Sequence, residues 1–158
     1  LLIYLKVAIT MRVEHLGHVV LYVENLRRSV EFYSDLLGLE SYGSIFNGKA
    51  AVLTSGRTHH ELLLIEVGPA PGPLAGRRLG LYHVGWCIGN TLEQLIQAKN
   101  QLIEAGIQID GITDHTITKS IYVKDPDGNE LELYIDCPEI DWETDSSWIE
   151  NPIRALNI

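Results

Sequence analysis

The 158-residue sequence predicts an α+β fold: two tandem βαβββ units forming one cupped, barrel-like mixed sheet with the helices outside. The first observation is a repeat, because a histidine-bearing, strand-like run followed by a helix pattern occurs twice. His18 lies 65 positions before His83, and the helix start at Asn25 lies 66 positions before Thr91. The second observation is a proline- and glycine-rich segment at residues 68–73, which predicts a linker between the two halves.

Each half contains one predicted helix. The first begins after Asn25, a favourable N-cap residue, and ends before Gly38, which suits a left-handed C-terminal stop. The second begins at Thr91, which has capping-box spacing with Gln94, and ends before Gly106. Apolar residues recur at helical spacing in both: Leu26, Val30, Tyr33 and Leu37, then Leu92, Leu95, Ile96, Leu102 and Ile103.

Three short β-rich runs follow each helix. In the first half they span residues 39–46, 50–54 and 61–67. In the second half they span residues 107–112, 120–124 and 130–135. The last two are separated by DPDGN at 125–129, whose aspartate, proline and glycine residues strongly favour a turn.

These elements predict one domain made of three parts. The domain spans residues 11–137, and its parts are a first unit at 13–67, a linker at 68–80 and a second unit at 81–137. Residues 1–10 precede Met11, the only methionine, and we interpret them as a leader outside the fold.

The acidic residues 138–158 lack periodicity and are predicted to form a C-terminal tail. They contain Trp142 and Trp148, each of which can bury a large apolar area, so we expect the tail to pack over the body of the domain.

Composition restricts the class of partner and the compartment. The chain has 12 basic and 21 acidic residues and a net charge of −9, which argues against a nucleic-acid backbone or an anionic membrane as main partner. No apolar run approaches the ~18–20 residues that span a bilayer. Cys87 and Cys137 are too few for a disulfide framework or a four-cysteine zinc site. We therefore expect a cytoplasmic protein.

Strand alternation predicts which side chains face the cup. In the first strand the apolar Val19 and Leu21 are expected to face the helix, so His18 faces the cup. The same alternation places His83 and Glu132 on the cup side of their strands. A lone strand histidine is more often structural, but the same position in two repeats favours a site. Two histidines and one carboxylate can bind a divalent metal and leave positions open for substrate and oxygen.

At these residues the chain resembles the vicinal oxygen chelate superfamily, which includes glyoxalases, extradiol ring-cleaving dioxygenases, epimerases and antibiotic-resistance proteins. The resemblance covers roughly residues 13–137 and rests on LGHVVLYVENLRRSVEFYSDLLGL near the start and YVKDPDGNELELYID near the end. It implies that His18, His83 and Glu132 are metal ligands. Because this fold supports several chemistries, the function depends on further residues of the site.

Three further residues resemble the extradiol catechol dioxygenases of that superfamily. His60, in THHELLLI, His115, in DHTITKSIYV, and Tyr122 match their two pocket histidines and their tyrosine. The resemblance implies that His60 is a proton donor on the oxygen side and that His115 and Tyr122 hydrogen-bond the substrate oxygens. It also implies Fe(II), with Mn, Ni, Zn or Co as alternatives, and a catechol-like aromatic diol and O2 as substrates.

The register of the strand after His60 leaves the choice between His59 and His60 open. His60 faces the cup if Leu62 and Leu64 line an apolar pocket, and this choice places Glu61 on the helix face, which is an objection to it. We take His60 as the predicted site residue.

The sequence is also compatible with two other functions. If Glu66 is a fourth ligand, the site becomes a two-histidine, two-glutamate set suited to a glyoxalase- or epimerase-type lyase or isomerase. A non-catalytic module that binds a drug or small aromatic would not need His60, His115 and Tyr122 together. Many extradiol enzymes have two such double-unit domains, whereas this chain has one. We expect a homodimer or higher homo-oligomer.

Overall fold

The structure, a computed structural model, describes residues 12–77 and 79–158, so the predicted leader at 1–10 lies outside the described residues. The first half contains β1 (Val19–Val23), α1 (Leu26–Val30), β2 (Glu40–Ile45), β3 (Ala50–Thr54) and β4 (Leu62–Glu66). The second half contains β5 (His83–Gly89), α2 (Leu92–Glu104), β6 (Gly111–Asp114), β7 (Thr118–Lys124) and β8 (Glu130–Asp136). A helical turn, α3 (Ser147–Glu150), and a short strand, β9 (Arg154–Ala155), follow. The predicted pair of βαβββ units is confirmed.

The strands form two mixed sheets that make an open cup and do not close into a barrel. The first has the order β1-β4-β3-β2 and the second β5-β8-β7-β6-β9. In each sheet the first and last strands of the unit, β1 with β4 and β5 with β8, pair in parallel, and the remaining pairs are antiparallel. The predicted α+β class is therefore confirmed. No helix in the described part of the chain is long and apolar enough to span a bilayer.

Both predicted helix starts are confirmed, and each is capped by a side chain. The Asn25 side chain accepts a hydrogen bond from the backbone N–H of Arg28 at 2.9 Å. Thr91 and Gln94 form the capping box in both directions. The first helix differs from the expectation in one respect, because its second half, Glu31–Leu36, is π-helical. It ends at Gly38, whose φ of 79° is the left-handed conformation that glycine adopts without strain.

The strand predicted at residues 107–112 is misplaced, since β6 spans Gly111–Asp114. Ile107 closes the preceding helix instead, because its N–H donates to the carbonyl of Leu102 at 2.9 Å. Ile107 and Ile109 pack against the core from this connection. Their alternating apolar pattern therefore reflects burial in the connection between α2 and β6 and not strand pairing.

The C-terminal segment docks on the second sheet through β9 and the residues after it. Strand β9 pairs antiparallel with β6, and Leu156 and Ile158 pack against the core. The two tryptophans contribute less than expected, because Trp142 is 62% exposed. The Trp148 indole N–H donates to the carbonyl of Trp142 at 3.2 Å, within the segment itself.

A buried carboxylate connects the helix of the first half to the second half. Asp125, in the turn between β7 and β8, accepts the hydroxyl proton of Tyr33 at 2.9 Å. The same carboxylate accepts hydrogen bonds from the backbone N–H groups of Asp127 and Asn129 and from the Asn129 amide. Tyr33 is fully buried. Burial, and then the charge of Asp125, raise the pKa of Tyr33, so its hydroxyl remains a donor.

We predict that Tyr33→Phe destabilises the protein by about 1–3 kcal/mol, because it removes a buried donor to a charged acceptor. Urea denaturation at pH 7 measures the change in unfolding free energy. Tyr42→Phe is the matched control, since Tyr42 is 72% exposed and should lose little. Equal midpoints for Tyr33→Phe and the wild type would show that this junction contributes no stability.

Candidate active site

Glu132, in the centre of β8, is the residue around which the polar side chains of the second sheet gather. Its Oε1 accepts hydrogen bonds from the hydroxyls of Ser120, at 2.6 Å, and Tyr122, at 3.0 Å. Its Oε2 lies 3.1 Å from His83 Nε2, and its Oε1 lies 3.7 Å from His115 Nε2. Glu132 is only 16% exposed in its side chain, so these contacts compensate for the removal of a carboxylate from water.

His83 is held beside Glu132 by the pairing of β5 with β8. The strands are parallel, and Gly85 lies opposite Glu132 in the register. His83 Nδ1 is buried and has no hydrogen-bond partner, while its Nε2 points to the carboxylate. A Cβ added at Gly85 would lie 3.4 Å from the Tyr134 ring and 3.9 Å from Glu132 Oε2, so the space that glycine leaves here lies between these two side chains.

His115 and Tyr122 approach Glu132 from the β6–β7 hairpin. His115 Nε2 lies 2.8 Å from the Tyr122 hydroxyl and 2.8 Å from the Thr113 hydroxyl. Burial, together with the negative charge of Glu132, raises the pKa of Tyr122 to about 12, against the opposing effect of the Thr113 hydroxyl. Tyr122 therefore stays protonated at neutral pH and can donate a hydrogen bond.

His18 and His60 lie together at the first sheet. His18 immediately precedes β1, and its ring centroid is 4.5 Å from that of His60. The His59 and His60 ring centroids are 4.4 Å apart. Burial, followed by the charges of His59 and His18, lowers the pKa of His60. The structure thus brings His60 into contact with the predicted ligand His18, and His59 is the more exposed of the two neighbours.

The register of β4 corrects the expectation that Leu62 and Leu64 line the cup. Both are fully buried in the core, and Leu64 is the Cα partner of the buried Leu21 on β1. The other face of β4 carries Leu63 and Ile65. The strand thus presents its two most deeply buried leucines to the core, and the apolar lining of the cup comes from the alternate positions.

Glu66 is engaged at the start of the first helix. Its Oε2 accepts the backbone N–H of Leu26 at 3.0 Å, and its Oε1 pairs with the Lys49 ammonium group. It shares the face of Val23, which is buried in the core, so it lies on the opposite side of the sheet from His18. These hydrogen bonds, that from Lys49 first, lower the pKa of Glu66.

Glu61 is the carboxylate that the strand register places on the side of His18. The Val19 N–H donates to the Glu61 carbonyl at 2.8 Å, and Val19 is the Cα partner of Leu62. The residues before these two, His18 and Glu61, therefore lie opposite each other. Glu61 Oε2 accepts hydrogen bonds from the Thr54 hydroxyl and the Ser55 N–H, and Arg57 lies 3.3 Å from Oε1. The carboxylate therefore organises the loop that leads to His59 and His60.

The six predicted site residues fall into two groups. His83, His115, Tyr122 and Glu132 converge on the second sheet, whereas His18 and His60 meet at the first. Among residues 12–77 and 79–158, no group of three or more His, Cys, Asp or Glu side chains is arranged so that it could hold a metal ion. The pair of His83 Nε2 and Glu132 Oε2 nevertheless suits a shared cation, because two ligand atoms about 2.1 Å from one ion and at right angles lie about 3 Å apart.

Sequence reasoning did not identify two hydroxyls of this site, those of Ser120 and Thr113. Ser120 lies two residues before Tyr122 on β7, so strand periodicity was a sufficient signal for it. Thr113 faces Ser120 across the β6–β7 pair, but the misplaced β6 hid this relation.

Sequence comparisons identify the family of this chain. The Glyoxalase/Bleomycin resistance protein/Dioxygenase superfamily profile matches residues 15–133. The chain is 34% identical over 132 residues to a catechol-2,3-dioxygenase of Bacillus subtilis, covering 83% of this chain and 45% of that protein. It is 36% identical over 124 residues to biphenyl-2,3-diol 1,2-dioxygenase 3 of Rhodococcus globerulus, covering 77% and 63%. The chain thus spans less than two thirds of the length of these relatives.

A solved structure supports the fold. A glyoxalase/dioxygenase from Nostoc punctiforme superposes with a TM-score of 0.63 at 22% sequence identity, covering 78% of this chain and 91% of that chain. At this identity the similarity shows the fold alone.

We predict that the charge of Glu61 stabilises the protein near neutral pH and that this contribution is lost in acid. Burial raises the pKa of Glu61, but the hydrogen bonds from Ser55 and Thr54, with the charge of Arg57, outweigh it and lower the pKa below its ordinary value. A lowered folded-state pKa stabilises above the unfolded value of about 4.3, and this stabilisation disappears as the pH falls through the folded value.

The test compares the unfolding free energies of the wild type and Glu61→Gln at pH 7 and at about pH 3. The difference should be larger at pH 7 and should shrink in acid. Glutamine keeps the shape but removes the charge and one acceptor oxygen, and only the contribution of the charge depends on pH in this range. Glu14→Gln, at an exposed position, is the control. A difference that is the same at both pH values would contradict the prediction.

Proposed function

The chain belongs to the glyoxalase/bleomycin resistance protein/dioxygenase superfamily, and we propose that it is an extradiol dioxygenase that cleaves a catechol-like aromatic diol with O2. The observation that carries this proposal is the open cluster on the second sheet. There the Glu132 carboxylate lies within ion-pairing distance of the His83 and His115 imidazoles. The Tyr122 hydroxyl lies within hydrogen-bonding distance of both Glu132 and His115. The names of the two curated relatives support the same reaction.

We propose that His18, His83 and Glu132 hold Fe(II), with Mn, Ni, Zn or Co as alternative metals. When bound, the metal would supply neighbouring coordination positions for the two diol oxygens and O2. The spacing of His83 and Glu132 suits this role, and the donor set of two imidazoles and one carboxylate matches the preferences of Fe(II).

The remaining side chains of the second sheet bind and orient the diol in this proposal. His115 Nε2 accepts a proton or hydrogen bond from one diol hydroxyl. Tyr122, which stays protonated because its pKa is raised to about 12, donates to a diol oxygen. We propose that the ring of the diol lies beside Gly85, which pairs with Glu132 and has no side chain of its own.

His60 is proposed to handle a proton on the oxygen side of the site. Its lowered pKa means that it is neutral at pH 7, so it can take up a proton and return it during the reaction. Its ring contact with His18 supports a position next to the metal.

We further propose that the protein acts as a homodimer, in which His18 and His60 of one copy complete the site formed by His83 and Glu132 of a second copy. Two observations support this. The ligands do not form a single metal-holding group among the described residues of one chain. The cup face of the first sheet is also uncovered there, with Tyr22 71% exposed on β1. A symmetric dimer would form two such sites.

A second candidate is a glyoxalase- or epimerase-type lyase or isomerase. The position of Glu61 on the side of His18 favours it, since the buried Oε1 has no hydrogen bond and is paired only with the Arg57 guanidinium, 3.3 Å away. In that case a second carboxylate would join the two histidines and Glu132, and the reaction would proceed without O2.

Oxygen uptake by the protein reconstituted with Fe(II) under anaerobic conditions tests the proposed function. Against a small panel of catechols, we expect one O2 consumed per diol and a yellow ring-opened product. Tightly bound metal without uptake would reject the dioxygenase and favour the lyase or isomerase. Saturable binding of an aromatic without any product would instead identify a binding protein.

Within the same assay, His60→Ala should lower kcat about 100-fold or more, because general acid–base residues contribute on that scale. Its Fe(II) affinity should stay within about threefold of the wild type. His15→Ala, at an exposed position, is the control and should change kcat little. An equal loss of Fe(II) binding and turnover in His60→Ala would contradict the proposed role.

We predict intersubunit complementation between His18→Ala and Glu132→Ala. Each variant alone should be inactive, whereas a mixture after subunit exchange should recover about one quarter of wild-type activity. Half of the dimers are then mixed, and each mixed dimer has one intact site of two. A mixture as inactive as its components would contradict the shared site and leave the oxygenase assignment to the uptake assay.

A further inference from the structure

The C-terminal segment contacts the candidate site at one atom of His115. The ring nitrogen Nδ1 of His115 lies 2.6 Å from the backbone carbonyl of Pro152, which is 37 positions further along the chain. A carbonyl oxygen only accepts hydrogen bonds, so Nδ1 must carry the proton in this contact. In a neutral imidazole the other nitrogen, Nε2, is then an acceptor.

The surroundings of Nε2 agree with this protonation state. The Thr113 hydroxyl, 2.8 Å away, can donate to Nε2. The Tyr122 hydroxyl can at the same time donate to Glu132 Oε1, 3.0 Å away. Ser120 also donates to this carboxylate. Every polar hydrogen in the cluster then has an acceptor without a proton on Nε2.

The carbonyl of Pro152 is held in place by a strap, which we define as residues 151–155. Arg154 in β9 pairs with Asp114 at 3.2 Å and donates to the Thr116 hydroxyl at 3.1 Å. Asp114 in turn accepts the N–H of Thr116 at 2.7 Å. Thr116 has a φ of 71°, an unusual conformation for a threonine, and these contacts hold the turn that follows His115.

We propose that the strap is a positioning element of the site, in which the Pro152 carbonyl fixes His115 in the tautomer protonated on Nδ1. This tautomer presents Nε2 as an acceptor toward Tyr122 and Glu132. Its catalytic consequence, acceptance of a proton or hydrogen bond from a diol hydroxyl, rests on the proposed function. The tautomer itself does not, because it follows from the protein's own contacts.

Nitrogen NMR of the histidine rings at about pH 8, where an ordinary imidazole is neutral, tests the inference. The His115 signals are assigned by their loss in His115→Gln. In the full chain we expect a protonated, pyrrole-like Nδ1 and an unprotonated, pyridine-like Nε2. A proton on Nε2, alone or together with Nδ1, would overturn the proposal.

Three variants test the role of the strap. Truncation after Asn151 removes the carbonyl, and Arg154→Ala loosens it while keeping the rest of the chain. Both should mix the two His115 tautomers, whereas Pro152→Ala, which retains the carbonyl, should not. If truncation prevents folding, Arg154→Ala still decides, and an unchanged His115 tautomer in a folded, loosened variant would overturn the inference.

Kinetics separate this inference from the proposed function. In Fe(II)-loaded protein, Arg154→Ala should lower kcat about tenfold and change KM and Fe(II) affinity by less than about threefold. If no form of the protein consumes O2 but the tautomers respond as expected, the strap inference holds and the proposed function fails. If the protein consumes O2 but the His115 tautomer is the same with and without an intact strap, the proposed function holds and the strap inference fails.

Discussion

The arrangement of polar side chains on the second sheet depends on one carboxylate, that of Glu132. It is largely withdrawn from water, and an ionised group in that position is tolerated only if charged or hydrogen-bonding partners surround it. Those partners come from the two strands that flank β8 and from one hairpin turn: His83 on β5, Ser120 and Tyr122 on β7, and His115 between β6 and β7. The exact pairing of these strands is therefore coupled to the electrostatics of the site, since a shift of one residue would turn every partner to the other face.

A second carboxylate, Asp125, connects that sheet to the rest of the molecule. It closes the turn between β7 and β8 and also accepts the hydroxyl of the fully buried Tyr33. Because β8 carries Glu132, the turn that holds the start of β8 also helps to position the Glu132 carboxylate. The helix of the first half and the polar cluster of the second half are in this way joined through one hairpin. On the opposite edge, β9 holds the other hairpin, which carries His115.

Strand and helix periodicity predicted most of the architecture. The two-residue period predicted that His83 and Glu132 share a face, and capping residues located both helix starts. Periodicity failed where burial was not caused by pairing. Ile107 and Ile109 have the alternating pattern of a strand, but they are buried in the connection between α2 and β6. The predicted position of β6 was therefore several residues too early. Leu62 and Leu64 look like a pocket lining but fill the core, and the carbonyl of Pro152 carries no side-chain signal at all.

We propose that Glu132 and His83 are metal ligands and that His115 acts on the substrate. Anaerobic equilibrium dialysis of Fe(II) against the wild type, His83→Ala and His115→Ala tests it most directly. We expect one Fe(II) per chain in the wild type and in His115→Ala, with affinities within about threefold of each other. In His83→Ala we expect the affinity to fall by about 100-fold or more. Unchanged Fe(II) binding by His83→Ala, or an equal loss in both variants, would contradict it.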